Sequence, residues 1–411
     1  MTEEVENLII GGGQAGLAMS YWLGQTGRQH LILERGRIAE RWQSERWDSL
    51  CLLSQNWSVS LPNYPYAGPD SEGFMTRDEV TAWILGFAAG FDPPVRTDVN
   101  VRRLRRANGN GAPGWLAETT AGDFRAQNVV VATGPFGDTS TPSWNRDLPA
   151  GIFQVHSNAY RNPGQLPPGA VLVVGSGASG FQIVEDLLDG QRRVYFSLGR
   201  HDPRVRRYRG RDHGWWMGQL GQWERKLEDF PNAKFESRGA ITGAKGGHDL
   251  NLRKLAAEGV TILGRARAVD DYKLAVAPDL PQNVREADER AVRARTMIDA
   301  FIEREGVDAP PEPPAKPWPD PEELLEPLSD LDLRAAGISS VIWATGFRYK
   351  FDWIEADIFE ADGEPRHLRG ITPAPGLYFL GLRWLYKFKS SFIHGVDEDA
   401  QYLAQHIAER A

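Results

Sequence analysis

The stretch Leu8-Ile9-Ile10-Gly11-Gly12-Gly13-Gln14-Ala15-Gly16 decides the fold of this chain. Its apolar start predicts the end of a buried strand, and the Gly-x-Gly-x-x-Gly spacing is typical of a turn into a helix. The first glycine permits the tight turn, the second lets the backbone approach a diphosphate, and the third lets helix and strand pack closely. A diphosphate bound there lies at the positive end of the helix. The residues of this predicted dinucleotide site are Gly11, Gly13, Gln14, Ala15 and Gly16.

The residues after this turn strengthen the prediction. A helical stretch is followed by a second apolar strand, His30-Leu31-Ile32-Leu33, which ends at Glu34 about 20 residues beyond the glycines. A carboxylate at that position accepts hydrogen bonds from the hydroxyls of an adenosine ribose. The pattern therefore predicts a βαβ unit that holds an unphosphorylated adenosine ribose, as FAD requires.

The same pattern returns later in the chain. The apolar run Val171-Leu172-Val173-Val174 leads into a second glycine loop, Gly175–Gly180, and a helix and the strand Val194–Ser197 follow. No acid ends this strand; Arg200 follows it, and arginine suits the 2′-phosphate of NADPH. The alternative is that Arg200 is a solvated loop residue. The residues of this predicted NADPH site are Gly175, Gly177, Ser179, Gly180 and Arg200.

Two breaks divide the chain. Pro167-Pro168-Gly169 precedes the second pattern, and a proline-rich stretch between Pro310 and Pro321 predicts a stiff, extended connector. After it, a strand ends in Ala344-Thr345-Gly346, as an earlier strand ends in Ala132-Thr133-Gly134. We therefore predict an α/β fold of two Rossmann-type dinucleotide-binding domains, the second inserted into the first. The expected boundaries are 1–165 and 326–411 for the FAD domain and 166–325 for the NADPH domain.

Composition narrows the function classes. The 411 residues include 41% hydrophobic and 25% charged residues, which is typical of a globular protein, and the net charge of −8 disfavours binding to nucleic acid or to an anionic membrane. No apolar run is long enough to span a bilayer and no signal peptide is recognised, so we expect a cytoplasmic protein. A homodimer is a reasonable expectation for its assembly.

The chain has little other catalytic equipment. Its single cysteine, Cys51, cannot form the redox-active pair of a disulfide reductase. Its eight histidines form no zinc motif, so we expect no metal site. The chemistry is then expected to be that of the flavin, with the protein supplying position and electrostatics.

These motifs resemble the flavin-containing monooxygenases, a family of class B flavoprotein monooxygenases. The resemblance rests on both glycine loops, on Glu34-Arg35, and on the Ala-Thr-Gly-Phe segment that ends at Phe347. Between the loops, His156 and Tyr160 have the spacing of the family fingerprint, although its first half differs. Tyr160 stands where Baeyer–Villiger enzymes carry tryptophan, which favours oxygenation of nitrogen or sulfur.

The resemblance also implies site residues. Asn56 is similar to the active-site asparagine beside the flavin, and the alternative is a loop asparagine that binds its own backbone. Ser390-Ser391 and the helix that follows resemble the closing segment at the flavin pyrimidine. The further implied contacts are Arg35, Trp42, Gly134 and Ser391 for FAD, and Thr345 for NADPH.

The implied reaction begins with hydride transfer from NADPH to FAD. O₂ then adds to give a C4a-hydroperoxyflavin that passes one oxygen atom to a small organic substrate, most simply an amine or a sulfide. Three alternatives stay open at this stage: a Baeyer–Villiger monooxygenase of ketones, an NADPH oxidase or flavin reductase, and a non-enzymatic redox sensor. The aromatic run Trp215-Trp216 is either a wall of the substrate pocket or part of the core.

Overall fold

The computed structural model describes residues 2–107, 114–229, 239–314 and 317–410. Its helices are α1 (Gln14–Gln25), α2 (Glu40–Ser44), α3 (Arg77–Phe91), α4 (Ala178–Asp189), α5 (His213–Gln219), α6 (Leu252–Ala257), α7 (Leu280–Glu305), α8 (Glu322–Leu325) and α9 (Val396–Glu409). Its strands are β1 (Thr2–Ile10), β2 (His30–Leu33), β3 (Ser60–Leu61), β4 (Tyr64–Pro65), β5 (Val95–Arg96), β6 (Val101–Arg106), β7 (Trp115–Thr119), β8 (Gly122–Val131), β9 (Asp138–Thr139), β10 (Phe153–His156), β11 (Ala170–Val174), β12 (Val194–Ser197), β13 (Arg207–Tyr208), β14 (Arg211–Asp212), β15 (Thr261–Leu263), β16 (Ala266–Asp270), β17 (Lys273–Val276), β18 (Asp330–Asp332), β19 (Ile338–Trp343), β20 (Phe347–Arg348), β21 (Ile354–Glu355) and β22 (Leu377–Phe379).

The larger sheet carries the first glycine loop. Its parallel part runs β5-β2-β1-β8, and β22 pairs in parallel with the last residues of β8. The antiparallel strands β6 and β7 extend it on the other side of β8. Leu8 and Ile9 of β1 are fully buried, because this central strand is covered on both faces. The first glycine loop therefore leaves a rigid strand at the centre of a sheet.

The second sheet repeats this arrangement with its five strands all parallel. Their order is β10-β19-β11-β12-β15, so β11 lies in the centre as β1 does in the first sheet. Alternate residues of β11 belong to two separate cores: Val171 and Val173 face one, and Leu172 and Val174 face the other. Together the sheets confirm the predicted α/β fold with two dinucleotide-binding domains.

Several local predictions are confirmed. Thr76 caps α3 in a full capping box with Glu79. Apolar residues spaced four and three apart predict an amphipathic helix over Arg285–Arg304; the structure has α7 there, which begins slightly earlier at Leu280. Ala400, Leu403, Ala404 and Ile407 have the spacing of one helix face, and they are buried in α9.

The strand pairing bears on the domain boundaries. Strand β10 falls before residue 165 and β19 after residue 326, yet both pair within the second sheet. Strands β9 and β20, which flank this unit in the chain, pair antiparallel with each other, Asp138 opposite Arg348. This pairing supports a wider inserted domain than the predicted 166–325, from about residue 140 to about residue 346.

Candidate cofactor site

The first glycine loop is shaped by close contacts that exclude side chains. Gly11 has a φ of +114°, and a Cβ on Gly16 would lie 1.8 Å from the carbonyl oxygen of Gly11. Gly13 caps α1 without any side-chain hydrogen bond, and a Cβ there would meet nothing within 4 Å. The amide end of α1 therefore faces open space, which fits the diphosphate of a dinucleotide.

Glu34 lies at the end of β2, against this loop. One carboxylate oxygen accepts a hydrogen bond from the backbone N–H of Gly12 at 2.6 Å, and the other accepts one from Gly36 at 3.0 Å. Glu34 is buried, but it also lines the large cavity described next. Its orientation is therefore fixed by two amides, while carboxylate lone pairs are left for a ribose hydroxyl.

A cavity of about 770 Å³ begins at the first glycine loop and passes between the domains. This volume lies in the usual range of ligand pockets, about 300–1,000 Å³. It brings together most of the residues predicted to hold FAD, although they come from five separate parts of the chain. The predicted residues that line it are Gly11, Gly13, Gln14, Ala15, Glu34, Arg35, Trp42, Gly134 and Ser391. Gly16 does not line the cavity and lies in the first turn of α1, packed against the carbonyl of Gly11.

The closing segment forms the far wall of this cavity. Ser391 to His394 line it, and the side-chain amide of Gln14 donates to the carbonyl of Ser391 at 3.5 Å. Burial lowers the pKa of His394 to about 4, so its imidazole is neutral at neutral pH. The indole of Trp22 in α1 donates to Asp397 in α9 at 2.6 Å. The first and last helices of the FAD domain are thus joined at this wall.

The second glycine loop repeats the first in detail. Gly175 has a φ of +114°, a Cβ on Gly180 would lie 1.8 Å from the carbonyl oxygen of Gly175, and Gly177 leaves the end of α4 open. Ser179 lines the cavity that holds the first loop. The amide nitrogen of Thr345 would lie 3.3 Å from a Cβ on Gly175, so Thr345 also adjoins this loop.

Arg200 follows the last strand residue of this unit, and its side chain is exposed. Its carbonyl accepts a hydrogen bond from the hydroxyl of Ser176 at 3.3 Å, which holds the backbone near the loop. A second arginine, Arg265, comes from another turn, and its Nε would lie 3.5 Å from a Cβ on Gly199. No spacing argument links position 265 to this strand end, and the sequence analysis missed it.

Asn56 is placed differently from the expectation. Its side-chain amide donates to the carbonyl of Asp70 at 2.8 Å and accepts from the backbone N–H of Met75 at 2.8 Å. The neighbouring residues Leu53 and Ser54 line the cavity, and Asn56 does not. These contacts favour the alternative, in which the asparagine holds its own loop, and its catalytic role stays a prediction.

The other sequence features have structural roles. Tyr160 is fully buried and donates to Asp186 of α4 at 2.6 Å, and burial together with Asp186 raises its pKa far above the usual value. His156 contacts the carbonyl of Gly346 at 3.0 Å. Neither residue lines the cavity, and both contacts lie within the second domain as the strand pairing bounds it. Trp216 is core, packed against α7.

The basic run at 204–211 also differs from a free phosphate-binding loop. Arg206 is almost fully buried and forms a two-point ion pair with Asp212. It also donates to the carbonyl of Leu53 at 2.8 Å, so a residue of the second domain holds a segment that lines the cavity.

Among the described residues no helix is long and apolar enough to cross a membrane. In the same part of the chain, no group of three or more His, Cys, Asp or Glu side chains is arranged to hold a metal ion.

Comparisons with known proteins agree with this site. Residues 8–209 match the pyridine nucleotide-disulphide oxidoreductase family. A CzcO-like uncharacterized oxidoreductase of Geobacillus kaustophilus is 31% identical over 99% of both chains. The indole-3-pyruvate monooxygenase YUCCA4 of rice is 30% identical over 46% of each chain. The flavin-containing monooxygenase from Stenotrophomonas maltophilia shares the fold, with a TM-score of 0.67 and 19% identity over 99% of both chains.

The full-length likeness at 31% identity and the two dinucleotide sites described above converge on one assignment. The family match covers the first glycine loop and the second, and the similar folds include flavin monooxygenases and bacillithiol disulfide reductases. This chain belongs to the CzcO-like oxidoreductases and is a flavin-dependent oxidoreductase, with FAD and NADPH as its cofactors.

Proposed function

We propose that this enzyme is a single-component monooxygenase that inserts one oxygen atom of O₂ into a small organic substrate, at an amine nitrogen or a sulfur. The second oxygen atom leaves as water, and NADPH supplies the two electrons. The observation that carries the proposal is the continuous cavity, which joins Gly13 of the first loop to Ser179 of the second. Bound FAD would supply electron transfer from the nicotinamide and activation of O₂.

The chain's own residues would bind and orient the two cofactors. The open end of α1 and the fixed carboxylate of Glu34 fit the FAD diphosphate and ribose. The open end of α4 fits the second diphosphate, and Arg200 is offered for the 2′-phosphate that distinguishes NADPH from NADH. The two helix ends open toward the same cavity and not toward separate surfaces, which supports direct hydride transfer inside one protein.

Exclusion of water is the second requirement, because activated oxygen exposed to water is lost as hydrogen peroxide. Apolar side chains from distant segments supply much of the cavity wall, including Phe136, Trp353 and Phe392. The ion pair of Arg206 with Asp212 holds the Leu53 segment against the second domain. Both features support an enzyme that retains its reactive oxygen until a substrate takes it.

The substrate class is open to several candidates. The resemblance to flavin-containing monooxygenases favours a soft nucleophile, an amine or a sulfide. The similarity to the rice indole-3-pyruvate monooxygenase adds a 2-oxo acid to the candidates. The cytoplasmic location and the homodimer are further parts of the proposal.

The test begins with the purified holoenzyme. We expect one FAD per chain, and faster anaerobic reduction by NADPH than by NADH. Panels of amines, sulfides, ketones and 2-oxo acids are then supplied with NADPH and ¹⁸O₂. One labelled oxygen atom in product per NADPH consumed supports the proposal.

Other outcomes identify the alternatives. Labelled esters from the ketones alone would indicate a Baeyer–Villiger enzyme. Hydrogen peroxide equal to the NADPH consumed, with every class of substrate, would indicate an oxidase. A protein that binds neither FAD nor NADPH would contradict any catalytic role.

A further inference from the structure

Arg46 is a cation on the wall of the cofactor cavity, apart from the two glycine loops and their strand ends. Its guanidinium lies over the ring of Trp42, 5.4 Å from the centroid, and over the ring of Phe136 at 5.3 Å. Two aromatic faces orient a planar guanidinium without neutralising it. The arrangement therefore presents a fixed positive charge to the cavity.

Within the described ranges no carboxylate pairs with this guanidinium. Its hydrogen bond goes to the backbone carbonyl of Glu45 at 2.7 Å. The Glu45 carboxylate is already bound by two other arginines, Arg35 at 2.7 Å and Arg41 at 2.9 Å. The Glu45 carboxylate thus lies near three arginines and pairs with two of them, and Arg46 is the one without an ion pair.

Burial lowers the pKa of Arg46 to about 10, which still leaves it charged at neutral pH. A desolvated charge is unfavourable unless an opposite charge compensates it. Among the described residues only Glu45 compensates this charge, and Glu45 is already paired with Arg35 and Arg41, so an anionic ligand in the cavity is the natural further source.

The segment that carries Arg46 packs against the second domain. Trp47 and Leu50 pack with the core of that domain, and Ser49 donates to Asp186 of α4 at 2.5 Å. The cavity reaches the start of the same helix at Ser179. Arg46 therefore lies at the seam where a ligand held by the second glycine loop meets the flavin site.

We propose that Arg46 binds an anionic oxygen group that a second ligand brings into this cavity. The group is either the diphosphate of the nicotinamide cofactor or the carboxylate of an acidic substrate. The FAD diphosphate is not included, because the end of α1 serves it. The inference rests on the proposed function, since it takes the cavity to be shared by both cofactors.

The test compares Arg46→Met and Arg46→Lys with the wild-type holoenzyme. Affinity for NADP⁺ is measured by equilibrium dialysis. The NADP⁺-bound protein is then titrated with benzoate and with its neutral counterpart benzamide, followed by flavin absorbance. Arg383→Met is the matched control, because Arg383 lies over the same Phe136 ring at 5.9 Å but does not line the cavity.

We expect Arg46→Met to keep its FAD and to lose about tenfold or more in affinity for either NADP⁺ or benzoate, because a charge-assisted hydrogen bond is removed. Loss of NADP⁺ affinity assigns the group to the cofactor diphosphate. Loss of benzoate binding, with benzamide unchanged, assigns it to a substrate carboxylate. Arg46→Lys should fall between Arg46→Met and the wild type, and Arg383→Met should match the wild type.

An Arg46→Met protein that equals the wild type in both titrations overturns the inference. So does one that loses FAD, because the arginine would then serve the flavin. A wild-type protein that fails to bind NADP⁺ would instead contradict the proposed function itself, so the two failures are distinguishable.

Discussion

The two glycine loops have the same backbone and different neighbours. In both loops the first glycine has a φ of +114°, and a Cβ on the last glycine would lie 1.8 Å from the carbonyl oxygen of the first. The difference lies one residue after the first glycine. Gly12 donates to the carboxylate of Glu34, whereas Ser176 uses its hydroxyl to contact the backbone of Gly199 and Arg200. The glycines thus set the turn and the helix, and we propose that the strand end selects the nucleotide.

The pair at position 12 and position 176 shows why the loops are not interchangeable. A Cβ on Gly12 would lie 3.0 Å from the Cβ of Glu34, so a side chain there crowds the carboxylate. With no acid at the end of β12, Ser176 has room for its hydroxyl. The choice of acid or arginine at the strand end therefore also decides which residue the loop tolerates.

The largest expected effect comes from the last glycine of each loop. Gly16→Ala should abolish FAD binding, and Gly180→Ala should leave FAD bound but remove NADPH binding, because the two loops belong to different cores. FAD content and NADP⁺ dialysis measure both effects. Gly90→Ala in α3, where a Cβ meets nothing within 4 Å, is the control and should bind both cofactors. Loss of both cofactors from Gly180→Ala would show that the loops are not independent.

Glu34→Gln should have the next largest effect, on FAD affinity. The two backbone amides that now bind a carboxylate would face a neutral amide group, and the contact to the ribose would weaken. We expect FAD affinity to fall by about tenfold, since charge-assisted hydrogen bonds contribute roughly 1.5–3 kcal/mol. Reconstitution of the apoprotein with FAD measures it, and NADP⁺ affinity should be unchanged. A variant with wild-type FAD affinity would show that the Glu34 carboxylate does not determine which nucleotide is bound.

Arg200→Ala should reduce the preference for NADPH over NADH by about tenfold, because a phosphate contact is lost and the rest of the dinucleotide is bound as before. The ratio of kcat/KM for the two nucleotides gives the result. Arg267→Ala, an exposed arginine in β16, is the control. If the preference survives, Arg200 is a solvated loop residue and Arg265 becomes the candidate to replace it.

The smallest expected effect belongs to Ser176→Gly, which converts the second loop to the pattern of the first. Its two hydrogen bonds, at 3.2 and 3.3 Å, hold the backbone of Gly199 and Arg200. Their loss should weaken NADP⁺ binding by a few-fold, in line with about 1 kcal/mol for a neutral hydrogen bond. Gly12→Ser, the reverse exchange, should lower FAD affinity by a larger factor, because the new side chain crowds Glu34. Equal small effects would mean that strand ends and loops are independent.

Sequence reasoning reached the parts that depend on local pattern. The glycine loops and the strands around them can be predicted because backbone sterics allow only a few conformations for such a turn. The placement of Arg46 depends instead on a contact with a segment far away in the chain, and that of Asn56 on how its own loop folds. Phe136 meets Arg46 across about 90 residues, and no periodicity records such a contact. The strand β10 is likewise ambiguous by itself, because the sheet it joins is decided by β19.

The antiparallel pairing of β9 with β20 has a consequence for engineering. A domain inserted into another must leave and re-enter at neighbouring points, and here the two crossings are hydrogen-bonded, Thr139 opposite Phe347. A short turn is therefore long enough to close the gap if the residues between them are cut out. Excising and recloning the unit as a separate gene would divide the enzyme into a flavin half and a nucleotide half that could be exchanged between relatives.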